Sequence, residues 1–340
     1  MPEAFREEGD LVLRRLEKLE EWRNRGIEPF ALKYPRKDYA LEIKERFQYL
    51  ENGQESDYAA SVAGRLMAVR RHGKACFGDL EDATGRIQLM ASVDSLGEEG
   101  YALFQELDIG DWVGAEGGVF KSRRGEITVR VSSFRLLSKS LRPLPEKWHG
   151  LKDVELRYRQ RYLDLLVNPQ VKRNLLTRVR TIRELRRFLD ERGFIEVETP
   201  MLQPIPGGAA ARPFVTYHKA LGQDLYLRIA PELYLKRCVV GGLEKVYEIN
   251  RNFRNEGISY KHNPEFTMLE FYWAFVDYLD LAEFLQEMIS RVIAEVLGTL
   301  RFPYQGRELD FTPPWRRVTL FQAVSEAVGR PLDTSTPLTE

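Results

Sequence analysis

Along the first fifty residues apolar positions recur every three or four, at Val12, Leu16, Leu19 and Trp22 and then at Ala40, Ile43, Phe47 and Leu50. Each set puts one apolar stripe on an α-helix. Asp10 is placed to cap the first helix, which Gly26 and Pro29 should stop, and Asn52-Gly53 should end the second. From Tyr58 to Leu137 the pattern becomes strand-like, in runs at 61–70, 74–80, 86–91, 112–120 and 126–136. Arg71-His72-Gly73, Asp82-Ala83-Thr84-Gly85 and Lys121-Ser122-Arg123-Arg124-Gly125 are turn material, and 101–107 reads as a helical insertion. Five such strands predict a small barrel.

That arrangement suggests an OB-fold, a barrel that often binds single-stranded nucleic acid. Residues 138–150 carry Pro143, Pro145 and four basic side chains counting His149, and read as a linker. Asn168-Pro169 then pairs a capping residue with a proline at the first helical position. It opens a long helix with Val171, Leu175, Val179, Ile182, Leu185 and Leu189 on one stripe, ended by Gly193. Residues 194–200 alternate as a short strand whose terminal Pro200 suggests an edge or an interface. The expected class is α+β: N-terminal helices over 1–54, an OB-fold barrel over 55–140, a linker at 141–152, and an antiparallel sheet with flanking helices over 153–340.

The strongest chemical signal lies in two further strands. In 245–254, Tyr247, Ile249, Arg251 and Phe253 share one face, and Glu248, Asn250, Asn252 and Arg254 share the other. After a loop from Asn255 through Tyr260 to Glu265, Phe266, Met268, Glu270 and Tyr272 face one side, and Thr267, Leu269, Phe271 and Trp273 the other. A hairpin with a solvated polar face is one account, although it would leave Phe266, Met268 and Tyr272 in water without purpose. A ligand is the other. Arginine at a strand end binds carboxylate or phosphate, phenylalanine offers a flat surface to adenine, and a carboxylate holds an ammonium.

Composition narrows the setting. Lysine plus arginine equal aspartate plus glutamate at 51 each, so nucleic-acid contact must rest on local patches. Cys76 and Cys238 are far apart, and His72, His149, His218 and His262 have no metal-ligand spacing, which argues against thiolate or histidine metal sites. With no apolar N-terminal leader and no membrane-length apolar run, a cytoplasmic protein away from membranes is expected. Cys238 reads as core.

Arg251-Asn252-Phe253-Arg254-Asn255-Glu256-Gly257-Ile258-Ser259 with His262-Asn263-Pro264-Glu265-Phe266-Thr267 resembles motif 2 of the class II aminoacyl-tRNA synthetases, in the form found in lysyl-tRNA synthetases. Gly193-Phe194-Ile195-Glu196-Val197-Glu198-Thr199-Pro200-Met201 resembles motif 1, which builds the dimer interface in that class. The stretches from Ile205 to Phe214 and from Arg228 to Lys236 resemble the lysine enzymes, so nearly the whole chain is covered. The resemblance implies tRNA(Lys), L-lysine and ATP as substrates, Mg2+ as cofactor and a homodimer. Arg254 would be catalytic, bridging the amino acid carboxylate and the α-phosphate. Glu256, His262, Asn263 and Phe266 would hold ATP; Gly208 and Glu232 would take the α-ammonium, and Glu270 with Tyr272 the ε-ammonium.

On spacing alone Glu232 is equally a first-turn carboxylate favouring a helix dipole, and a lone aromatic such as Phe77 is more often core. The resemblance assigns Phe77, Gln88 and Glu126 to the anticodon. If the turn centres near Asp82-Ala83, Phe77 and Gln88 become near neighbours. Arg65 and Lys74 are candidate phosphate contacts or solvated surface. The family's motif 3, its acidic Mg2+ ligands and a second carboxylate for the ε-ammonium do not occur in these 340 residues. The expectation is thus a C-terminally truncated lysyl-tRNA synthetase with little activity alone. A non-catalytic paralogue that binds tRNA is the alternative, and Glu270 with Gly207-Gly208-Ala209 disfavours an aspartate or asparagine enzyme.

Overall fold

The computed structural model describes residues 9–145, 151–259 and 261–336. The first eight residues read for a leader, the end of the expected linker with His149, Tyr260 of the expected loop, and the last four residues lie outside the described residues. The chain divides into two compact units, Met1–Pro169 and Gln170–Glu340.

In the first unit α1 (Asp10–Asn24) buries Val12, Leu19 and Trp22 as its spacing requires, together with Arg15. Arg15 is accommodated there because its guanidinium donates to the carbonyls of Ile109, Ser140 and Arg142. Asp10 is not the cap. Gly9 holds that position without a side-chain bond, and Asp10 is the first helical residue, where its charge favours the helix dipole. In α2 (Ala40–Phe47) the buried face is Ala40, Ile43 and Phe47, and Asp82 accepts from the Ala40 N–H at 2.8 Å.

The strands β1 (Glu55–His72), β2 (Ala75–Glu81) and β3 (Arg86–Ser92), the helix α3 (Val93–Glu106), and the strands β4 (Trp112–Lys121) and β5 (Ile127–Ser138) follow. The five strands close in the order β1-β2-β3-β5-β4, with β3 and β5 parallel and the other pairs antiparallel. Period two explains what faces where. Cys76, Leu80, Ile87, Leu89 and Ala91 enter the barrel core, so Phe77, Asp79, Gln88 and Met90 fall on its outer face. Phe77 pairs with Met90 and Gln88 with Asp79, so Phe77 and Gln88 are diagonal rather than direct neighbours. The turn spans Asp82 to Gly85, one step further along than the expected centre, because Asp82 accepts from both Thr84 and Gly85 N–H.

Arg65 is taken up by the barrel itself. Its guanidinium is half-buried, donates to Gly110 O at 2.8 Å and lies over Trp112, so it is not a phosphate contact. Lys139 is also structural, with its Nζ 2.9 Å from the buried Asp111 carboxylate, so the segment leaves the barrel only after Ser140. Next, α4 (Val154–Arg159) and α5 (Arg161–Val167) wrap the fully buried Asp164, which accepts from Arg157, Arg161 and Asn168.

The helix α6 (Pro169–Asp190) runs into the second unit. It is followed by β6 (Ile195–Glu196), β7 (Leu202–Gln203), β8 (Val215–His218), β9 (Gln223–Leu227), α7 (Glu232–Val240), β10 (Lys245–Phe253) and β11 (Glu265–Trp273). The helix α8 (Tyr278–Leu297), the strands β12 (Arg301–Tyr304) and β13 (Arg307–Asp310), and α9 (Leu320–Val328) complete it. Its sheets are β11-β10-β6, β7-β9-β8 and the β12-β13 hairpin. One face of β10-β11 carries Tyr247, Ile249, Leu269, Phe271 and Trp273 against Phe188 and Leu189 of α6 and Phe284 and Met288 of α8.

Two expectations change here. The strand at 194–200 shrinks to two residues, paired parallel with β10, and its last bond to that strand, Val197 N–H to Tyr247 O, falls three residues short of Pro200. Of the α6 stripe, Leu189 is buried, but Leu175 and Val179 are 45% and 49% exposed, because the apolar cluster of α8 and β11 reaches only its last turns.

The barrel's closest strand crossings admit no side chain. A Cβ on Gly117 would lie 1.8 Å from Arg130 O, whereas one on neighbouring Gly118 meets nothing within 4 Å. Gly117→Ala should therefore lower unfolding free energy by about 1–3 kcal/mol in a denaturant titration. Gly118→Ala should change it little.

Candidate functional site

The β10 half of the second face is polar yet buried and the β11 half is partly buried, which does not fit a hairpin with a solvated polar face. Cross-strand pairs set Glu248 against Glu270, Asn250 against Met268 and Asn252 against Phe266. Glu248, Asn250 and Asn252 are all buried. Asn252 Nδ2 donates to Asn250 Oδ1 at 2.7 Å, while Asn252 Oδ1 and Arg254 Nε find no partner among the described residues. Buried polar atoms without partners cost stability, and a bound ligand is one way of satisfying them.

Carboxylates gather at one end of this face. The Tyr272 hydroxyl donates to Glu270 Oε1 at 2.8 Å. Glu248 is held by Arg228 at 2.7 Å, with the Arg228 side chain fully buried and Glu248 nearly so. Helix α7 starts with Glu232, which pairs with Lys236 at 2.7 Å. Burial pushes the Glu270 carboxyl above the usual range; Glu232 and Glu248 add to this, and the Tyr272 bond and Lys236 oppose it. The Tyr272 hydroxyl is likewise pushed up, by burial first and then by Glu270. Glu270 has no ion-pair partner among the described residues, so the pocket is short of one cation.

Gly208 belongs to the same corner. Its φ is +87°, and a Cβ there would lie 2.8 Å from Glu232 Cβ and 3.1 Å from Ala230 Cβ, so only glycine lets this loop close on α7. Glu232 stands at the positive end of α7, close enough to Glu270 to raise its carboxyl.

At the other end Arg254, Glu256, His262, Asn263 and Phe266 line one pocket of about 220 Å3 with Gly257, Lys261 and Pro264. The Arg254 guanidinium lies 5.2 Å from the Phe266 ring centre, leaving a flat aromatic surface beside a cation. His262 Nδ1 is 2.8 Å from Ser259 Oγ, which fixes its ring in the loop. Phe266 and Glu270 share one face four residues apart on β11, roughly 13 Å at strand rise.

The barrel unites the other three residues. Phe77, Gln88 and Glu126 line a groove of about 800 Å3 with Arg70, Arg86, Arg123 and Arg124 among its other walls. Thr128 Oγ1 lies 3.1 Å from Gln88 Oε1, which turns the remaining amide group toward solvent, and Glu126 pairs with Lys44 of α2 at 2.7 Å. Lys74 is not among the groove residues. Cys238 is only partly buried, so its reading as core fails; it lies on α7, where Leu235 takes the buried position.

Among the described residues no three His, Cys, Asp or Glu side chains converge to hold a metal ion. The sole carboxylate lining the Arg254 pocket is Glu256, a poor match for a cation that needs several oxygens. No helix among them is long and apolar enough to cross a membrane.

Sequence reasoning missed Arg228, Thr199 and Lys236. The signal for Arg228 was present: an arginine inside the apolar run Leu225 to Ala230 must be buried and therefore paired. Lys236 follows Glu232 by four positions, the helical ion-pair spacing.

The sequence model of the tRNA synthetases class II (D, K and N) matches residues 153–337, and that of the OB-fold nucleic acid binding domain matches 60–137. The chain is 59% identical over 315 residues to the lysine--tRNA ligase of Syntrophomonas wolfei subsp. wolfei, covering 93% of this chain and 63% of that protein. It is 57% identical to the lysine--tRNA ligase of Carboxydothermus hydrogenoformans, covering 94% and 64%, and 58% identical to that of Moorella thermoacetica, covering 96% and 66%. The chain thus spans just under two thirds of the length of these curated relatives.

A carboxyl raised in the folded state stabilises the fold only below its unfolded range, and loses that contribution as pH rises through the folded value. Glu270 is such a group. Without ligand, Glu270→Gln should raise the melting temperature near neutral pH, and the gain should vanish below the ordinary carboxylate range. A fall near neutral pH would contradict the shift.

Proposed function

Since the chain belongs to the class II tRNA synthetases (D, K and N), we propose that its second unit carries the part of a lysine--tRNA ligase site that binds L-lysine and ATP, and its barrel the surface that reads the tRNA(Lys) anticodon. The observation that carries the amino acid choice is Glu270, half-buried against Glu232 and Glu248 with no ion-pair partner among the described residues. An ammonium completes that pocket. An aspartate or asparagine side chain would instead meet a carboxylate there.

In this reading the lysine carboxylate attacks the α-phosphorus of ATP in line, forming the acyl–phosphate bond as the bond to pyrophosphate breaks. Arg254 bridges the two reactants and stabilises the charge that builds on the phosphoryl oxygens, a role its unpartnered Nε supports. Phe266 stacks on adenine, Glu256 and Asn263 hold the nucleotide, and His262 approaches the distal phosphates. Gly208 leaves room for the α-ammonium at Glu232. The 3′ hydroxyl of tRNA then takes the lysyl group and AMP leaves. Mg2+ would neutralise the phosphates, but the residues here do not form its site and no step is assigned to it.

In the groove Phe77 stacks on a base while the Gln88 amide and Glu126 take its hydrogen-bonding edge. The exposed Leu175, Val179 and Ile195 support a homodimer through the motif 1 region. The two unpaired cysteines suit the cytoplasm.

Calorimetric titration of the 340-residue chain should show L-lysine binding and no binding of L-aspartate or L-asparagine, with Glu270→Gln abolishing the lysine signal. Binding of either acidic-family amino acid in preference to lysine would overturn the assignment. On the barrel, Phe77→Ala should weaken binding of an anticodon stem-loop by about 1–3 kcal/mol, the worth of one stacked base. Unchanged affinity for Phe77→Ala combined with Gln88→Ala would count against it. In a protein that contains this chain and performs lysine-dependent ATP–pyrophosphate exchange, Arg254→Ala should cost about 3–4 kcal/mol of transition-state stabilisation, read as the loss in exchange rate.

A further inference from the structure

We infer that the buried Arg228–Glu248 pair is a positioning element for the ammonium pocket, fixing a carboxylate directly behind Glu270 so that the cluster as a whole takes one cation; this rests on the lysine reading above.

Like charges placed directly opposite on neighbouring strands repel, and β10-β11 places Glu248 directly opposite Glu270. The arrangement is unfavourable unless a third charge answers it. Both Glu248 oxygens are already engaged within the protein: Oε1 by Arg228 at 2.7 Å and Oε2 by the Thr199 hydroxyl at 2.6 Å. Arg228 is fastened through Nε, which donates to Arg251 O, through Nη1, which donates also to Thr199 O, and through its backbone, whose N–H donates to Met201 O and whose carbonyl accepts from Phe253 N–H, while its buried Nη2 has no partner among the described residues. The pair therefore holds the Glu248 charge at a set depth.

A buried ion pair is weak support for stability, so stability alone does not account for it. The charges that face Glu270 do. Glu232 and Lys236 approach from α7, Glu248 from β10 with Arg228 behind it, and Tyr272 lies beside it on β11. Three carboxylates against two cations leave one negative charge. That suits a ligand bearing a terminal ammonium, with its other ammonium and carboxylate balancing each other.

The test uses the full chain. Glu248→Gln keeps shape and hydrogen bonding but removes the charge. It should weaken L-lysine binding about tenfold, the worth of one pKa unit of changed interaction. Binding of L-norleucine, which lacks the ε-ammonium, should not change. The carboxyl carbon resonance of Glu270 should titrate at lower pH than in wild type. A folded Glu248→Gln with wild-type lysine affinity and unchanged Glu270 titration overturns the inference. If that variant does not fold, Lys236→Gln tests the balance from an exposed position: lysine binding should tighten by a similar factor, and no change overturns it. If wild type binds no lysine, the lysine reading falls, while the Glu270 titration in Glu248→Gln still decides whether the pair acts on that carboxyl.

Discussion

The pairing of β10 with β11, from Lys245 opposite Trp273 to Phe253 opposite Glu265, is the constraint on which the second unit depends. Because side chains alternate, a slip of β11 by one residue against β10 would turn β11 over. It would put Phe266 and Glu270 among the aromatic rings and Phe271 and Trp273 into the site. The register is held from the apolar side. Phe194, Phe271, Trp273 and Phe284 meet at ring-centre separations of 5.4–5.9 Å. The Tyr247 hydroxyl, 2.8 Å from Asp190, ties the same strand to the end of α6.

Polar groups on the opposite face pack instead against α7 and the chain around Thr199 and Arg228. Desolvating Arg228 and Glu248 carries a penalty that their mutual attraction offsets only because Thr199 and Arg251 supply further hydrogen bonds. Glu270 receives less help, and its carboxyl is displaced upward as a result. Stability is given up where a ligand would restore it, which is how functional sites commonly conflict with the fold that holds them.

Much of this was legible from alternation and punctuation. The barrel strands, both faces of 245–254 and 265–273, and the grouping of Arg254 with Phe266 follow from period two and from a loop that returns the chain on itself. The anionic corner was only half legible: Glu270 facing the same side as Glu248 is a matter of parity, but Arg228 reaches them from a separate strand, and no local pattern encodes that approach. The strand at 194–200 failed for a related reason, since alternation says nothing about how far a neighbour extends. Leu175 and Val179 are a third case. A stripe announces an apolar face, while what covers it is set by tertiary packing. Asp10 shows the limit of cap rules, because Gly9 reaches the required extended backbone and Asp10 serves the dipole one position later.

The two candidate surfaces use charge in opposite ways, and burial decides which. In the barrel groove Arg70 pairs with Asp79, Arg86 with Glu81 and Lys44 with Glu126, all partly in water. Such pairs contribute little to stability and open readily, so their cations can exchange a carboxylate for a phosphate at small cost. On the anticodon reading proposed above, selectivity in the groove would come from Phe77 and Gln88 rather than from charge. On the hairpin Arg228 and Glu248 are out of water, whereas Glu232 and Lys236 stay partly exposed. An open row of exchangeable ion pairs and a partly covered anionic corner thus arise from the same alternation, separated by how far the second face is covered.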